Sequence, residues 1–596
     1  MSTNTQINTP TDSVSSPNSA SYLSNTIKVI LSYGLTLLAF PFLGYVISYL
    51  TLLVGLKLSA LSFLMTFVAT IIAGIVIPNQ LQLKTKFVIY NLIGLMLSIA
   101  LSFYLSRVFW DMSYDGMAYQ GEAIARLSEG WNPLYQSAQG HNGLHSIWLQ
   151  HYPKASWLNQ ASIFQFTNNW EDTKFYNFIL LLASVAISIV AVSRFQIAKI
   201  FQAMVVIVAC FSPIVMLQST GLLLDGQISS LLVIVFGLLT ISYYNSSWLV
   251  ISGLAMSIIL TVNTKTAGMV YTLIALVVYG IILAINNHKH SGKILGSIML
   301  FVIVAIGIFG FNPYITNTIT KSNPIYPSLD KKAFDASENT PKNYLNKSSL
   351  EVFVAGMFFE TNKDFEDKDG GAKLKIPFTV STSEWKAMSI GAIKKGGFGP
   401  WFGGGILLTI LVLAISIVVG KKPKSNTLET NDEDEIRPMQ SWQIFSIVTA
   451  SIVVSCLLTS TASTARYIPQ LWIWLAIVLL YLFNLKSKAV NYMASGLFVV
   501  LLINIAITTI ASTTQQLDLT AKAQQTLSRL KKSDQTLIID FGRSTPTRTR
   551  LQSLSIPFEE KNRDKKLDDK RPIADCKASS KFMFLPENES SACVKR

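Results

Sequence analysis

Residues 87–109 read FVIYNLIGLMLSIALSFYLSRVF, and residues 110–135 continue WDMSYDGMAYQGEAIARLSEGWNPLY. The first run is apolar and long enough to cross a bilayer, whose hydrocarbon layer takes about 20 helical residues. The second places Asp111, Asp115, Glu122 and Glu129 within 19 residues, whereas the hydrophobic segments on either side carry no carboxylate. A carboxylate at the foot of a membrane helix sits at headgroup depth. There it can act on a substrate whose reactive phosphate is fixed at that depth by a lipid tail. The plainer reading of the stretch is a solvated acidic loop with a short amphipathic helix, and the rest of the chain decides between them.

Half of the 596 residues are hydrophobic, 14% are charged, and mean hydropathy is +0.41. Soluble proteins carry about a quarter of their residues as charges, so repeated apolar runs of this length mean membrane helices. The net charge of +15 invites a nucleic-acid reading, but its placement excludes one. Of the 49 Lys and Arg, 17 lie in the last 85 residues and 12 between positions 312 and 400. Most of the others sit in short connections between apolar runs, which is membrane topology and not a DNA-binding face.

The apolar runs predict an all-α polytopic membrane protein with about 13 transmembrane helices, near 29–54, 58–77, 87–109, 176–193, 200–217, 228–244, 248–262, 267–285, 294–311, 401–420, 441–460, 468–485 and 489–511. With the N-terminus in the cytoplasm, the inner side receives Lys28, Lys84, Lys86, Arg194, Lys199, Lys289, Lys293, Lys421, Lys422, Lys424, Arg437, Lys486 and Lys488. The short outer connections hold only Lys57, Lys265 and Arg466. Thirteen against three follows the positive-inside rule. The long polar regions 110–175, 312–400 and 512–596 then all fall outside, the C-terminus with them. Residues 1–28 read as a disordered cytoplasmic tail, 29–86 as an extra N-terminal transmembrane hairpin, 87–511 as the membrane core, and 512–596 as a small external tail.

Within 110–175 the pattern gives two short amphipathic helices of the kind that lie in the interfacial plane. One carries Ala118, Tyr119, Ala123, Ile124 and Leu127 and is stopped by Gly130, Trp131, Asn132 and Pro133; the other begins after Pro153 and carries Trp157, Ala161 and Phe164. The second long loop is charged and closes on GGFGPWFGGG (396–405), read as a flexible stretch. That glycine run follows no strand and lacks a Lys-Ser/Thr ending, so it is not a phosphate-binding P-loop. The acidic connection at 429–435 reads as disordered. The tail begins as a polar helix, offers one strand-like run at 536–541, and otherwise reads as weakly structured. Cys210 and Cys456 fall in apolar runs as packed residues, whereas Cys576 and Cys593 would close a disulfide if the tail faces an oxidising compartment. His141 and His145 have the i, i+4 spacing of metal ligands, with His151 nearby, but Gly140 and Gly143 argue against a helix there. No metal site and no cofactor are expected, a divalent metal being the remaining option.

An ion-coupled transporter keeps an ionisable residue at mid-membrane depth. Here all 34 carboxylates fall in loops, in tails or at a helix end, as at Asp225, which favours chemistry at the outer rim of the membrane. The motifs DGMAY (115–119), Ala125, Leu127 and GWNP (130–133) resemble the first external loop of the membrane-embedded GT-C glycosyltransferases. Bacterial lipid A aminoarabinose transferases and protein O-mannosyltransferases belong to that group. YPKASW (152–157) is similar to their second interfacial helix, and RYIP (466–469) to the Arg-Tyr-x-x-Pro that opens one of their late helices. The likeness covers residues 87–485, with two extra helices ahead of it, Gly116 where some members have a second acidic residue, and no Asp-x-Asp near Asp115. It implies a GT-C-like fold, a polyprenyl-phosphate-linked sugar as donor, a glycan, lipid or protein acceptor, and a multi-pass place in the bacterial inner membrane. It also implies substrate-binding roles for Tyr119 and Tyr467.

Transfer with inversion needs a general base for the acceptor hydroxyl and cations for the departing phosphate. Asp115 is the expected base. Asp111, four residues earlier on the same expected helical face, is the reserve. Lys265, within NTKTAG (263–268), and Arg466 are the cations of the short outer loops between later spans, placed to hold the phosphate; snorkelling to the interface is the plain alternative. Two other classes stay open: a lipid-glycan ligase or polymerase of another fold, and a non-enzymatic lipid-glycan flippase.

Overall fold

The computed structural model describes residues 24–138, 146–332, 339–362, 371–389, 391–419, 442–459, 461–533, 536–541, 546–560 and 591–594. Three long helices, α1 (Asn25–Leu53), α2 (Ala60–Gln80) and α3 (Thr85–Val108), precede the first long loop. The loop holds α4 (Gly121–Glu129), α5 (Ser146–His151) and α6 (Ala155–Thr167). A run of helices follows: α7 (Phe175–Val192), α8 (Lys199–Cys210), α9 (Pro213–Gln218), α10 (Asp225–Tyr244), α11 (Trp248–Thr264), α12 (Thr266–Ile285) and α13 (Ser291–Ile303). The second long loop carries α14 (Thr316–Lys321), α15 (Ser349–Gly356) and α16 (Thr382–Ala387). The chain then forms α17 (Phe402–Val419), α18 (Trp442–Leu457), α19 (Gln470–Asn484) and α20 (Lys488–Ser533). It closes with β1 (Leu537–Asp540), α21 (Pro546–Ser553), β2 (Phe558–Glu560) and β3 (Ser591–Val594).

Nine helical stretches among the described residues are long and apolar enough to cross a membrane, and α8, α11, α18 and α19 are apolar but shorter. They stand where the sequence places its apolar runs, and the protein is a multi-pass membrane protein. Rows of large apolar side chains on α2, α3 and α13, among them Leu61, Val68, Leu97 and Met299, lie on the outside of the bundle. Such rows are at home beside lipid tails, which are as apolar as leucine. The centre is different: α10 is buried along most of its length against α7 and α11, and α1 packs on α7, α2 and α11.

Three features depart from the sequence reading. The last span does not stop near 511; with no Gly or Pro between 512 and 533, α20 runs on for 46 residues, about 69 Å at 1.5 Å per residue. Helix α6, expected to lie in the interfacial plane, is enclosed: every residue from 155 to 163 is buried, between α1, α2 and α4. The tail is folded where it is described: β1 pairs parallel with β2 and antiparallel with β3. Its small core of Leu527, Leu537, Ile539, Phe541 and Leu551 packs against Trp110 and Met112 of the first loop. The acidic segment 429–435 lies outside the described residues.

Candidate active site

Beyond α3 the chain does not continue as a helix. Residues 110–113 are not helical, so Asp111 and Asp115 do not share a helical face. Asp111 is buried, its Oδ1 accepting the Ser113 amide at 2.8 Å and its Oδ2 the Leu222 amide at 2.8 Å. Burial pushes its carboxyl up from the usual range, against those two amides and the Lys174 cation. Asp111 thereby ties the first loop to the connection between α9 and α10. Gly116 leaves the space for it: a Cβ there would stand 2.0 Å from Asp111 Oδ2. The chain turns again at Ala118, and α4 ends at Gly130 with φ +104°.

Asp115 lies in a different environment. Its Oδ2 accepts from Arg466 Nη2 at 2.6 Å, and Arg466 Nε reaches Asp225 Oδ2 at 2.9 Å. Asp225 Oδ1 in turn takes the ammonium of Lys265, and Gln218 Nε2 donates to Asp225 Oδ2 at 3.3 Å. Two carboxylates and two cations from four distant parts of the chain form one connected cluster. The exposures differ in a way that matters: the side chains of Asp225 and Arg466 are 3% and 5% exposed, Lys265 is 11% exposed and Asp115 15%. Buried ions are tolerable only when paired and hydrogen-bonded, as these are. Asp115 is the member that opens outward, and among the described residues no hydrogen bond holds its Oδ1.

Arg466 is aimed by backbone from the second long loop. Gly396, at φ +61°, donates its amide to Ser463 O at 3.1 Å and accepts from the Ala465 amide at 2.8 Å. An L side chain there would be strained. The glycine run read as flexible is, at this point, a clamp on the turn that carries Arg466. The Tyr467 ring stacks beneath both cations, 5.2 Å from Arg466 Cζ and 5.3 Å from Lys265 Nζ. Tyr119 and Tyr152, with ring centroids 6.0 Å apart, border the cluster; burial raises both phenol pKa values, with the charge of Asp115 adding to each. Just beyond them Lys154 is buried, donating to Tyr152 O at 2.8 Å, Asn312 Oδ1 at 3.0 Å and Gln150 O at 3.2 Å. Burial lowers its ammonium to about 7.

The structure therefore brings together Asp115, Lys265, Arg466, Tyr119 and Tyr467, and sets Asp111 apart. Asp225, Tyr152 and Gln218 join them, Tyr152 from the YPKASW motif but with no role assigned to it there. Asp225 was visible only as a carboxylate at a helix start, where it reads as a partner for the helix dipole. His151 Nδ1 lies 2.6 Å from Asn317 Oδ1, whereas His141 and His145 lie outside the described residues. No group of three metal-ligating side chains is present among the described residues. The Cys576–Cys593 pairing also lies outside the described residues, since Cys576 is not among them.

A second charged knot sits behind the first loop. Arg550 of α21 bonds Glu171 Oε1 at 2.8 Å through Nε and the Asp111 carbonyl at 3.0 Å through Nη2. Lys174 also pairs with Glu171. Thr520 Oγ1 of α20 accepts the Trp110 amide at 3.0 Å. The tail is thus fastened to the stretch that leads into Asp115.

No family model matches the chain, and no curated protein matches it in sequence. Among solved structures it is similar to the crystal structure of ArnT from Cupriavidus metallidurans bound to undecaprenyl phosphate. Identity is 12% and the TM-score 0.36, over 79% of this chain and 85% of that one.

Proposed function

We propose that this protein is an integral-membrane glycosyltransferase that moves a sugar from a polyprenyl-phosphate donor to an acceptor hydroxyl at the outer face of a bacterial inner membrane. The observation that carries the reading is the cluster in which the most open carboxylate, Asp115, faces outward from two buried cations. In the proposed reaction the acceptor oxygen attacks the anomeric carbon while Asp115 takes its proton. The bond from that carbon to the phosphate oxygen breaks with its electrons on oxygen, and Arg466 and Lys265 stabilise the departing phosphate. Asp225 presets both cations. Tyr119 and Tyr467 line the way in. Asp111 is a support for the loop and not the base, because both of its oxygens already hold backbone amides.

The test is turnover of purified protein on a panel of undecaprenyl-phosphate sugars, read as release of undecaprenyl phosphate. Asp115→Asn keeps the shape and removes the basicity, and should cost about 10²- to 10⁴-fold. Unchanged turnover in Asp115→Asn would sink the transferase reading. A larger loss of turnover in Asp111→Asn, at equal folding, would mean that the wrong carboxylate has been chosen.

A further inference from the structure

The charged cluster uses the starts of α10 and α19. At the other ends of the same helices, α7, α8, α10, α18 and α19 line a partly open cavity of about 180 Å³. Its wall is almost wholly apolar, with Ala191, Val233, Phe236, Val448, Ile477 and Leu480 among the lining residues. Along α10 the lining runs from Val233 to Thr240. At 1.5 Å per residue that is about 12 to 22 Å from Asp225, on the side of the membrane away from Asp115.

Two polar side chains, one next in sequence to a lining residue and one in the lining itself, have atoms left unsatisfied. Arg194 follows α7 and precedes Phe195, which lines the cavity; its Nε and Nη2 are buried and meet no hydrogen-bond partner among the described residues. Asn484, at the end of α19, lines the cavity too, and its Oδ1 is likewise buried without a partner. Arg194 is half-buried, and the fork of a guanidinium with two unengaged nitrogens fits two phosphate oxygens. The Asn484 amide oxygen would accept a hydroxyl. An apolar slot within the bilayer, topped by a cation and an acceptor, matches one class of ligand.

We propose that the cavity holds one acyl chain of an anionic phospholipid from the leaflet opposite the Asp115 site, with its phosphate on Arg194 and a headgroup hydroxyl on Asn484. The inference does not depend on the transferase reading. A donor lipid reaching in from the cluster would fill the slot from the other end and leave Arg194 unpaired.

The full chain, delipidated in detergent, can be offered palmitoyl-oleoyl phosphatidylglycerol or phosphatidylethanolamine and the retained lipid counted by native mass spectrometry. Wild type should retain phosphatidylglycerol preferentially. Val448→Trp, which fills the slot, should lose retention of both lipids. Arg194→Gln should keep retention but reduce the preference by about fivefold, the worth of one basic residue against an anionic lipid. This substitution lies at the rim, so the test survives if Val448→Trp does not fold. Equal preference in wild type and Arg194→Gln would overturn the proposal, as would undiminished retention in a folded Val448→Trp. Displacement of the bound phospholipid by undecaprenyl phosphate would overturn it as well, by assigning the slot to the donor tail.

Discussion

Asp225 accepts from both Arg466 and Lys265, so the two cations are not spare charges waiting for a phosphate. In the proposed reaction a donor would share them and would meet them in the geometry Asp225 has fixed. Arg466 spans two carboxylates with separate nitrogens, a task a lysine cannot copy as a point charge. Arg466→Lys should therefore weaken binding of a polyprenyl-phosphate analogue although net charge is unchanged, and Arg466→Ala should weaken it more. Equal affinity in all three proteins would remove Arg466 from the site. Lys154 gives a second test through pH. Its folded value of about 7 lies below its ordinary value of 10.5, so between the two the unfolded chain holds a proton the folded chain has released. Stability should then climb as pH rises from 7 to about 10.5, and this group should contribute no slope below 7. Lys154→Met should flatten that climb, read as unfolding midpoints at pH 7 and pH 9; a climb equal to wild type would assign it elsewhere. Lys265 and Arg466 were legible in the sequence because a cation is conspicuous in a short outer connection. Asp225 was not, because its meaning lies in partners 40 and 241 residues away.

Among elements, helices were the legible part, since apolar length alone defines them, whereas what each loop grips is a long-range fact. The run 396–405 has the composition of a flexible link, yet Gly396 is fixed by two backbone bonds to the turn before Arg466. The tail offered only one strand-like run, and its docking draws on Arg550, which no local pattern marks, beside the apolar contact with Trp110 and Met112. Arg550→Ala removes the bonds to Glu171 and to the Asp111 carbonyl, and breaking such a buried pair costs about 3–5 kcal/mol. Lys174 still pairs with Glu171, which puts the expectation at the low end. Amide exchange in 537–541 should quicken by roughly tenfold or more if docking supports the sheet. Unchanged exchange would show that the tail holds itself together without the loop.

At the scale of the molecule, contacts constrain topology in a way that charge bias cannot. Asp115, Asp225, Lys265 and Arg466 touch, and Arg550 touches the loop that carries Asp115. All five must share one side of the membrane, so the chain crosses an even number of times between each. The apolar helices between them, with α8 and α9 taken as one crossing, satisfy that parity. A reporter active only in the cytoplasm, fused after Arg596, should accordingly be silent, and a strong signal would invert the proposed orientation. The reach of α20 has a mechanical corollary. Of its 46 residues, the 22 beyond position 511 make a polar rod of about 33 Å. A tilt of about 5° at its base would swing the tip by about 3 Å, about the length of a hydrogen bond. The tail can keep its grip only if rod and bundle rock as one body, so bilayer thickness, acting as a lever on α20, would be felt at the stretch that carries Asp115.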